Sequence, residues 1–356
     1  MLLPLIMTMA APAEAEFYIG TYTAKNGSQG IYHARLNEKT GEISTPELAV
    51  EADNPSYIAV HKGFVYAVHE NREGQASAYK IEKDFKLTLL NSRPSSGDAN
   101  CHISVDSKGK YIFTSGYMSG KIACHPIETD GSLAEATQMV QNSGSGPDKS
   151  RQEGPHLHAA YADPRSKFVY ACDLGTDEVL TYQFDSKKGT LAPLPSGKVP
   201  PGGGPRHLAF AKKGHFAYAN NEMGNAVTTF SVDQKTGALT ALQTISTLPE
   251  DHGASHTAEI LVHPNGKWLY VSNRGNESLA VYSIGNDGLL TLVEIAEATV
   301  REPRGFEIDP TGHWLVVGGQ NSNDITSLAI DPKTGKLTSS GHRVSLGSPV
   351  CIAFKR

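Results

Sequence analysis

Five side chains in this 356-residue sequence have the chemistry to work on a small anion: His158, Arg206, Glu222, Arg274 and Arg304. A histidine or a glutamate can take a proton from water. Arginines grip carboxylate or phosphate through paired hydrogen bonds, and an arginine beside a carbonyl can stabilise a developing oxyanion. Two or three arginines set against one or two carboxylates leave positive charge over, which suits an anionic ligand. Arginine paired with glutamate merely to fill a wet interior accounts for the same residue types. The five share no local motif, so whatever brings them together must be the elements that carry them.

Those elements are repeats. PRHLAFAKKGHFAYANNEMGNAVTTFSVDQKTGAL, from Pro205, aligns with PRGFEIDPTGHWLVVGGQNSNDITSLAIDPKTGKL, from Pro303. Both run apolar strand, glycine turn, apolar strand, polar turn, alternating strand, then a K-T-G turn into a fourth strand. Related segments begin at Pro55, Cys101, His156 and Thr257. Tyr18, Tyr66, Phe113, Tyr170, Tyr218, Tyr270 and Val316 mark the second strand of each, at intervals of 48, 47, 57, 48, 52 and 46 residues. Four short period-2 strands at this spacing predict an all-β, seven-bladed β-propeller with four-stranded blades. The first repeat lacks its innermost strand, and PVCIAF (Pro349 to Phe354) is an unpaired copy of it. The C-terminal strand is therefore expected to pair in the first blade and close the ring, removing an open edge.

Alignment of the repeats gives two columns of channel-facing positions. The first is Val350, Ser56, Cys101, His158, Arg206, Ala258 and Arg304; the second is Tyr22, Glu70, Tyr117, Leu174, Glu222, Arg274 and Gln320. Charged and imidazole side chains gather in blades 4 to 7, so they are expected at one mouth of the channel. His158, Glu222, Arg206 and Arg274 are the candidate catalytic residues. Arg304, His156 and Glu70 are the candidate substrate-binding residues. His156 and His158 form H-x-H, which on a regular strand places both on one face. No third ligand follows at fixed spacing, so neither a metal nor another cofactor is expected. His102, His207, His252 and His256 read as hydrogen-bonded loop or core residues, and Glu259 as a carboxylate placed to orient an arginine.

Composition narrows the class. There are 32 Lys+Arg against 37 Asp+Glu, a net charge of −5 with no basic stripe, which argues against a nucleic-acid partner. No apolar run approaches the roughly 20 residues that cross a bilayer, so no membrane partner is expected. Cys101, Cys124, Cys172 and Cys351 stand singly in apolar stretches and read as buried hydrophobes. Residues 1–15, MLLPLIMTMAAPAEA, resemble a secretory signal without its basic start, leaving 16–356 as a single propeller domain. A monomer or weak dimer is expected. Nucleophile-elbow, Walker and Rossmann patterns are absent from the sequence.

The combination of G-P-R-H-L-A-F (Gly204 to Phe210), Asn221-Glu222, A-E-I (Ala258 to Ile260), L-Y-V-S-N-R-G (Leu269 to Gly275) and P-R-G-F (Pro303 to Phe306) resembles the lactonase family of seven-bladed propellers. P-H-x-H (Pro155 to His158), D-L-G-T-D (Asp173 to Asp177) and the closing P-V-C-I-A-F fit it too. The resemblance runs from about Phe17 to Arg356. It implies an active site of one histidine, two arginines and a glutamate, which map onto His158, Arg206, Arg274 and Glu222. It also implies hydrolysis of 6-phosphoglucono-δ-lactone to 6-phosphogluconate, a step of the pentose phosphate pathway. The expected partner is thus an anionic small-molecule lactone, with either His158 or Glu222 activating water. Such a substrate implies a cytoplasmic enzyme. Export would instead imply a lactonase or cycloisomerase acting on another sugar lactone or a carboxylated lactone. A ligand- or protein-binding propeller without catalysis is the third reading. The family's V-N-E in blade 2 reads Val68-His69-Glu70 here, and its N-Y in blade 3 reads Gly116-Tyr117.

Overall fold

A computed structural model describes residues 13–23 and 27–356. They form seven four-stranded antiparallel sheets, each a blade, and the described residues hold no helix. The innermost strands are Pro349–Phe354, Tyr57–His61, Asn100–Val105, Leu157–Ala162, Pro205–Phe210, His256–Val262 and Pro303–Ile308, for blades 1 to 7 in turn. Ring closure is as expected. Pro349–Phe354 pairs with Glu14–Thr21, matching Phe354 to Phe17 and Ile352 to Ile19. Residues 1–12 of the leader-like segment lie outside the described residues. Its end does not: Ala15 sits within the strand Glu14–Thr21 and is buried.

The hydrophobic core is divided into seven clusters, one at each contact between neighbouring blades. A second strand therefore meets a blade on each face. That is why Phe168–Asp173 is buried at every residue and does not alternate. The four cysteines are free and buried, Cys124, Cys172 and Cys351 among these layers and Cys101 in the channel.

The residues that mark the repeat also join one blade to the next. The Tyr170 hydroxyl donates to the Gly237 carbonyl at 2.9 Å, in the K-T-G turn of the following blade. Tyr66, Tyr218 and Tyr270 reach Gly131, Gly288 and Gly335 in the same way, at 2.9–3.1 Å. Phe113 has no hydroxyl, and there Thr137 Oγ1 donates to Gly189 at 2.7 Å. At the closing contact Trp314 Nε1 donates to the Glu38 carbonyl at 2.9 Å. These turns need glycine. Gly237 has φ of +76°, and a Cβ there would lie 2.5 Å from the Phe168 ring.

Candidate active site

The first-column residues reach the channel through a repeated irregularity. In an unbroken strand, neighbouring side chains point to opposite faces. Here the pairing register slips at Cys101, His158, Arg206 and Arg304, and likewise at Val350 and around Ala258–Glu259. Such bulges re-aim a side chain. The two innermost strands of blade 2 pair without a slip, and Ser56 lies just before the innermost one. The slip also separates the H-x-H pair. His156 precedes the strand, which starts at Leu157, and stacks on Tyr117 with ring centres 4.5 Å apart. The regular-strand spacing expected for His156 and His158 is therefore not formed, and both rings meet Tyr117, that of His158 edge-on at 5.7 Å.

Glu222 is the hub of the site. Arg151 Nη2 lies 2.7 Å from its Oε1; Arg274 Nη2 and Arg206 Nε lie 3.0 and 3.2 Å from its Oε2. Burial acts to raise the Glu222 pKa, but Arg274, Arg206 and Arg151 together hold the carboxyl down at about 2. The carboxylate is placed by its backbone. Glu222 N–H donates to the Gly204 carbonyl at 2.7 Å, and Asp177 fixes the Gly204 N–H at 2.8 Å and the Gly202 N–H at 2.7 Å.

His158 stands beside this hub and is buried. Burial first, then Arg206, His207, Arg304 and Arg274, pushes its pKa well below the usual 6.5. Its imidazole is therefore neutral at pH 7. Nδ1 lies 3.8 Å from Cys101 Sγ, and Nε2 has no hydrogen-bond partner among the described residues. Neutral imidazole with an open nitrogen is the protonation state that a general base requires.

Arg304 differs from the other three arginines. Its guanidinium lies over the Tyr22 ring, 5.5 Å from the centre, and makes no ion pair among the described residues. Tyr22 is itself tied to Glu70, donating to Oε2 at 2.9 Å. His158, Glu222, Arg274, Arg304 and Glu70 line one cavity of 380 Å³, within the roughly 300–1,000 Å³ of small-molecule sites. Arg206 lies behind Glu222, 2% exposed, and His156 stays behind Tyr117; neither lines the cavity. The cavity wall carries Arg151, Arg274 and Arg304 against Glu70 and Glu222, and His158 is neutral, so one positive charge remains for a ligand. A larger groove of 730 Å³ on the rim carries Lys62, Lys108, Lys110 and Lys187, but no comparable buried pairing of acid, base and arginine.

Sequence reasoning missed Arg151. It arrives from the connection before blade 4, the one repeat interval stretched to 57 residues. That insertion is braced at Gln152, whose Nε2 donates to the Leu174 carbonyl at 2.8 Å and to Asp177 Oδ1 at 2.7 Å. The extra length was the available signal. His102 and His207, read from sequence as hydrogen-bonded loop or core residues, are fully buried and hydrogen-bonded where the innermost strands converge. Their rings are 5.2 Å apart, and His207 is 5.2 Å from His158. His256 lines the cavity mouth and His252 is an exposed loop residue. His69, the departure in blade 2, contacts the Asp53 carbonyl at 2.8 Å and Ser77 Oγ at 2.7 Å, and so serves the blade and not the cavity.

Known proteins share this framework. Residues 16–354 match the family described as lactonase, 7-bladed beta-propeller. A 6-phosphogluconolactonase of Bacillus subtilis is 36% identical over 343 residues, covering 95% of this chain and 97% of that protein. The crystal structure of a Lactobacillus plantarum protein superposes with a TM-score of 0.91 at 32% identity, over 97% of this chain and 100% of that one. The periplasmic gluconolactonase of Pseudomonas aeruginosa superposes with a TM-score of 0.90 at 28% identity, over 97% and 99% of the two chains. The chain belongs to the lactonase family of seven-bladed β-propellers, and is by that membership a lactone-hydrolysing enzyme.

Proposed function

We propose that the protein hydrolyses 6-phosphoglucono-δ-lactone to 6-phosphogluconate, the carbohydrate step named for its Bacillus relative. The observation that carries the choice of an anionic lactone is Arg304, a cavity guanidinium with no carboxylate partner among the described residues. Its free donors suit the phosphate.

In this reading His158 is the base. Its Nε2 takes a proton from water as the oxygen attacks the lactone carbonyl carbon. The carbonyl becomes a tetrahedral oxyanion, held by Arg274 or Arg151. Collapse breaks the ring C–O bond, and the proton on His158 passes to the departing ring oxygen. A base of this kind contributes about 10²–10⁴ in rate. Glu222, acidic to about 2 and surrounded by arginines, is a poor proton acceptor and acts as their anchor.

The test compares phosphorylated with unphosphorylated glucono-δ-lactone. The protein is expected to prefer the phosphorylated substrate in kcat/KM. Arg304→Ala should erase most of that preference, by about 10-fold or more, through KM. Equal kcat/KM for the two lactones in the wild type would favour an unphosphorylated sugar lactone, the substrate class in the name of the Pseudomonas relative.

A further inference from the structure

Beneath the cavity, the channel holds a buried polar chain that the reaction above does not use. Glu259 Oε1 lies 2.8 Å from His207 Nδ1 and accepts the Ile260 N–H at 3.0 Å. Its other oxygen accepts the Tyr57 hydroxyl at 3.1 Å. His207 Nε2 lies 3.2 Å from Arg206 Nη1, which also donates to the Ala258 carbonyl. Arg206 then faces Glu222 through Nε. The bulge is what allows this, because it turns the consecutive residues Arg206 and His207 into the same channel.

Donor and acceptor roles along the chain are forced. A guanidinium only donates, so His207 Nε2 must be the bare nitrogen. Nδ1 then carries the proton and needs an acceptor, which Glu259 supplies. Burial, acting against Arg206 and the hydrogen bonds from Ile260 and Tyr57, places the Glu259 pKa at about 7. His207 is kept neutral by burial and by Arg206 and Arg304, with its pKa well below 6.5. His207 is held from its backbone as well: its N–H donates to Asn220 Oδ1 at 2.9 Å.

We propose that Glu259 and His207 are positioning residues for Arg206, with Glu259 locking the His207 tautomer whose Nε2 receives one end of the guanidinium and so sets the edge Arg206 turns to Glu222. Neither residue touches the substrate. The kinetic consequence rests on the lactonase reading of the cavity; the tautomer does not.

The experiment is ¹⁵N NMR of the full-length protein labelled at histidine, at pH 8, with the His207 signals assigned by difference from His207→Phe. The expected pattern is a protonated Nδ1 and an unprotonated Nε2. Glu259→Gln, which still accepts at Oε1, should keep it, and Glu259→Leu should lose it. On 6-phosphoglucono-δ-lactone, Glu259→Leu is expected to lower kcat by about 100-fold, the scale of a misplaced active-site group. Glu259→Gln should stay close to wild type. In an Arg206→Ala background, Glu259→Leu should add nothing further. An Nε2-protonated His207 in the wild type, or an undiminished Glu259→Leu effect without Arg206, would overturn the proposal. Absence of turnover by the wild type would count against the lactonase reading alone. The tautomer of the wild type still decides the positioning claim in that case, and also if Glu259→Leu does not fold.

Discussion

His158 and Glu222 are both able in principle to activate water, and their surroundings separate them. Three arginines on one carboxylate stabilise its charged form and leave it little proton affinity. The same positive field, added to burial, keeps His158 unprotonated, the state that the proposed base needs. The acid limb of kcat/KM that reports His158 is therefore expected well below the unperturbed histidine value of about 6.5. In His158→Ala that limb should vanish and kcat should fall by about 10²–10⁴. A pH–rate series on the two proteins checks this; a limb unchanged in His158→Ala would return the role to another group. Arg206, Arg274, Glu222, His158 and Arg304 were legible in the sequence because they break columns that packing alone would fill alike. Arg151 was not legible there, because it stands outside the repeat. The misplacement of His156 has the same origin as the placement of His158, since sequence spacing does not reveal a bulge.

At the scale of the element, the blade is a unit that cannot bury its own faces. The second strand Phe168–Asp173 is buried throughout because neighbours cover both sides, and its signature tyrosine is a donor to the next blade's turn. Tyr170→Phe should cost about 1 kcal/mol, the net worth of one such hydrogen bond, with kcat and KM unchanged. Gly237→Ala should cost more, about 1–3 kcal/mol, because it combines a positive φ with a Cβ against the Phe168 ring. Denaturant titrations of both variants measure these differences; equal stability of Gly237→Ala and wild type would contradict the packing argument. The strand count, blade boundaries and ring closure were readable because the K-T-G turns and the aromatic marks recur at a nearly fixed period. The blade-to-blade bonds were not, because the residues they join lie about 70 positions apart (Tyr170 and Gly237, 67).

The whole molecule carries buried ionisable groups along one axis, and folding couples to pH through them. His102, His158 and His207 have pKa values pushed well below 6.5 by burial. Below about 6.5 the unfolded chain gains protons at these histidines that the folded chain does not, so stability is lost as pH falls. His33, depressed to about 4 by burial, acts in the same direction. Glu259 and Glu307 oppose them. Burial lifts both to about 7, so the fold holds protons there that the unfolded chain releases, and stability rises as pH falls from about 7 toward 4.5. Burial also lowers His61 and His125 and raises Glu277 and Asp173, so six depressed histidines outweigh four raised carboxylates. Below 4.5 Glu222, held at about 2, adds a further loss. The melting temperature should therefore peak near neutral pH and decline toward pH 4, with a shallower decline in His207→Phe. A calorimetric series across pH 4–8 reads this directly, and a melting temperature that climbs steadily into acid would contradict it.

The measurement closest to the central claim is the initial rate of opening of freshly generated 6-phosphoglucono-δ-lactone by the purified protein, set against the spontaneous rate, with Arg206→Ala alongside. The account predicts clear acceleration by the wild type and loss of most of it in the variant, since Arg206 is fixed to the Glu222 carboxylate around which the site is built. A well-folded wild type that leaves the spontaneous rate unchanged, or an Arg206→Ala protein as fast as the wild type, would contradict it.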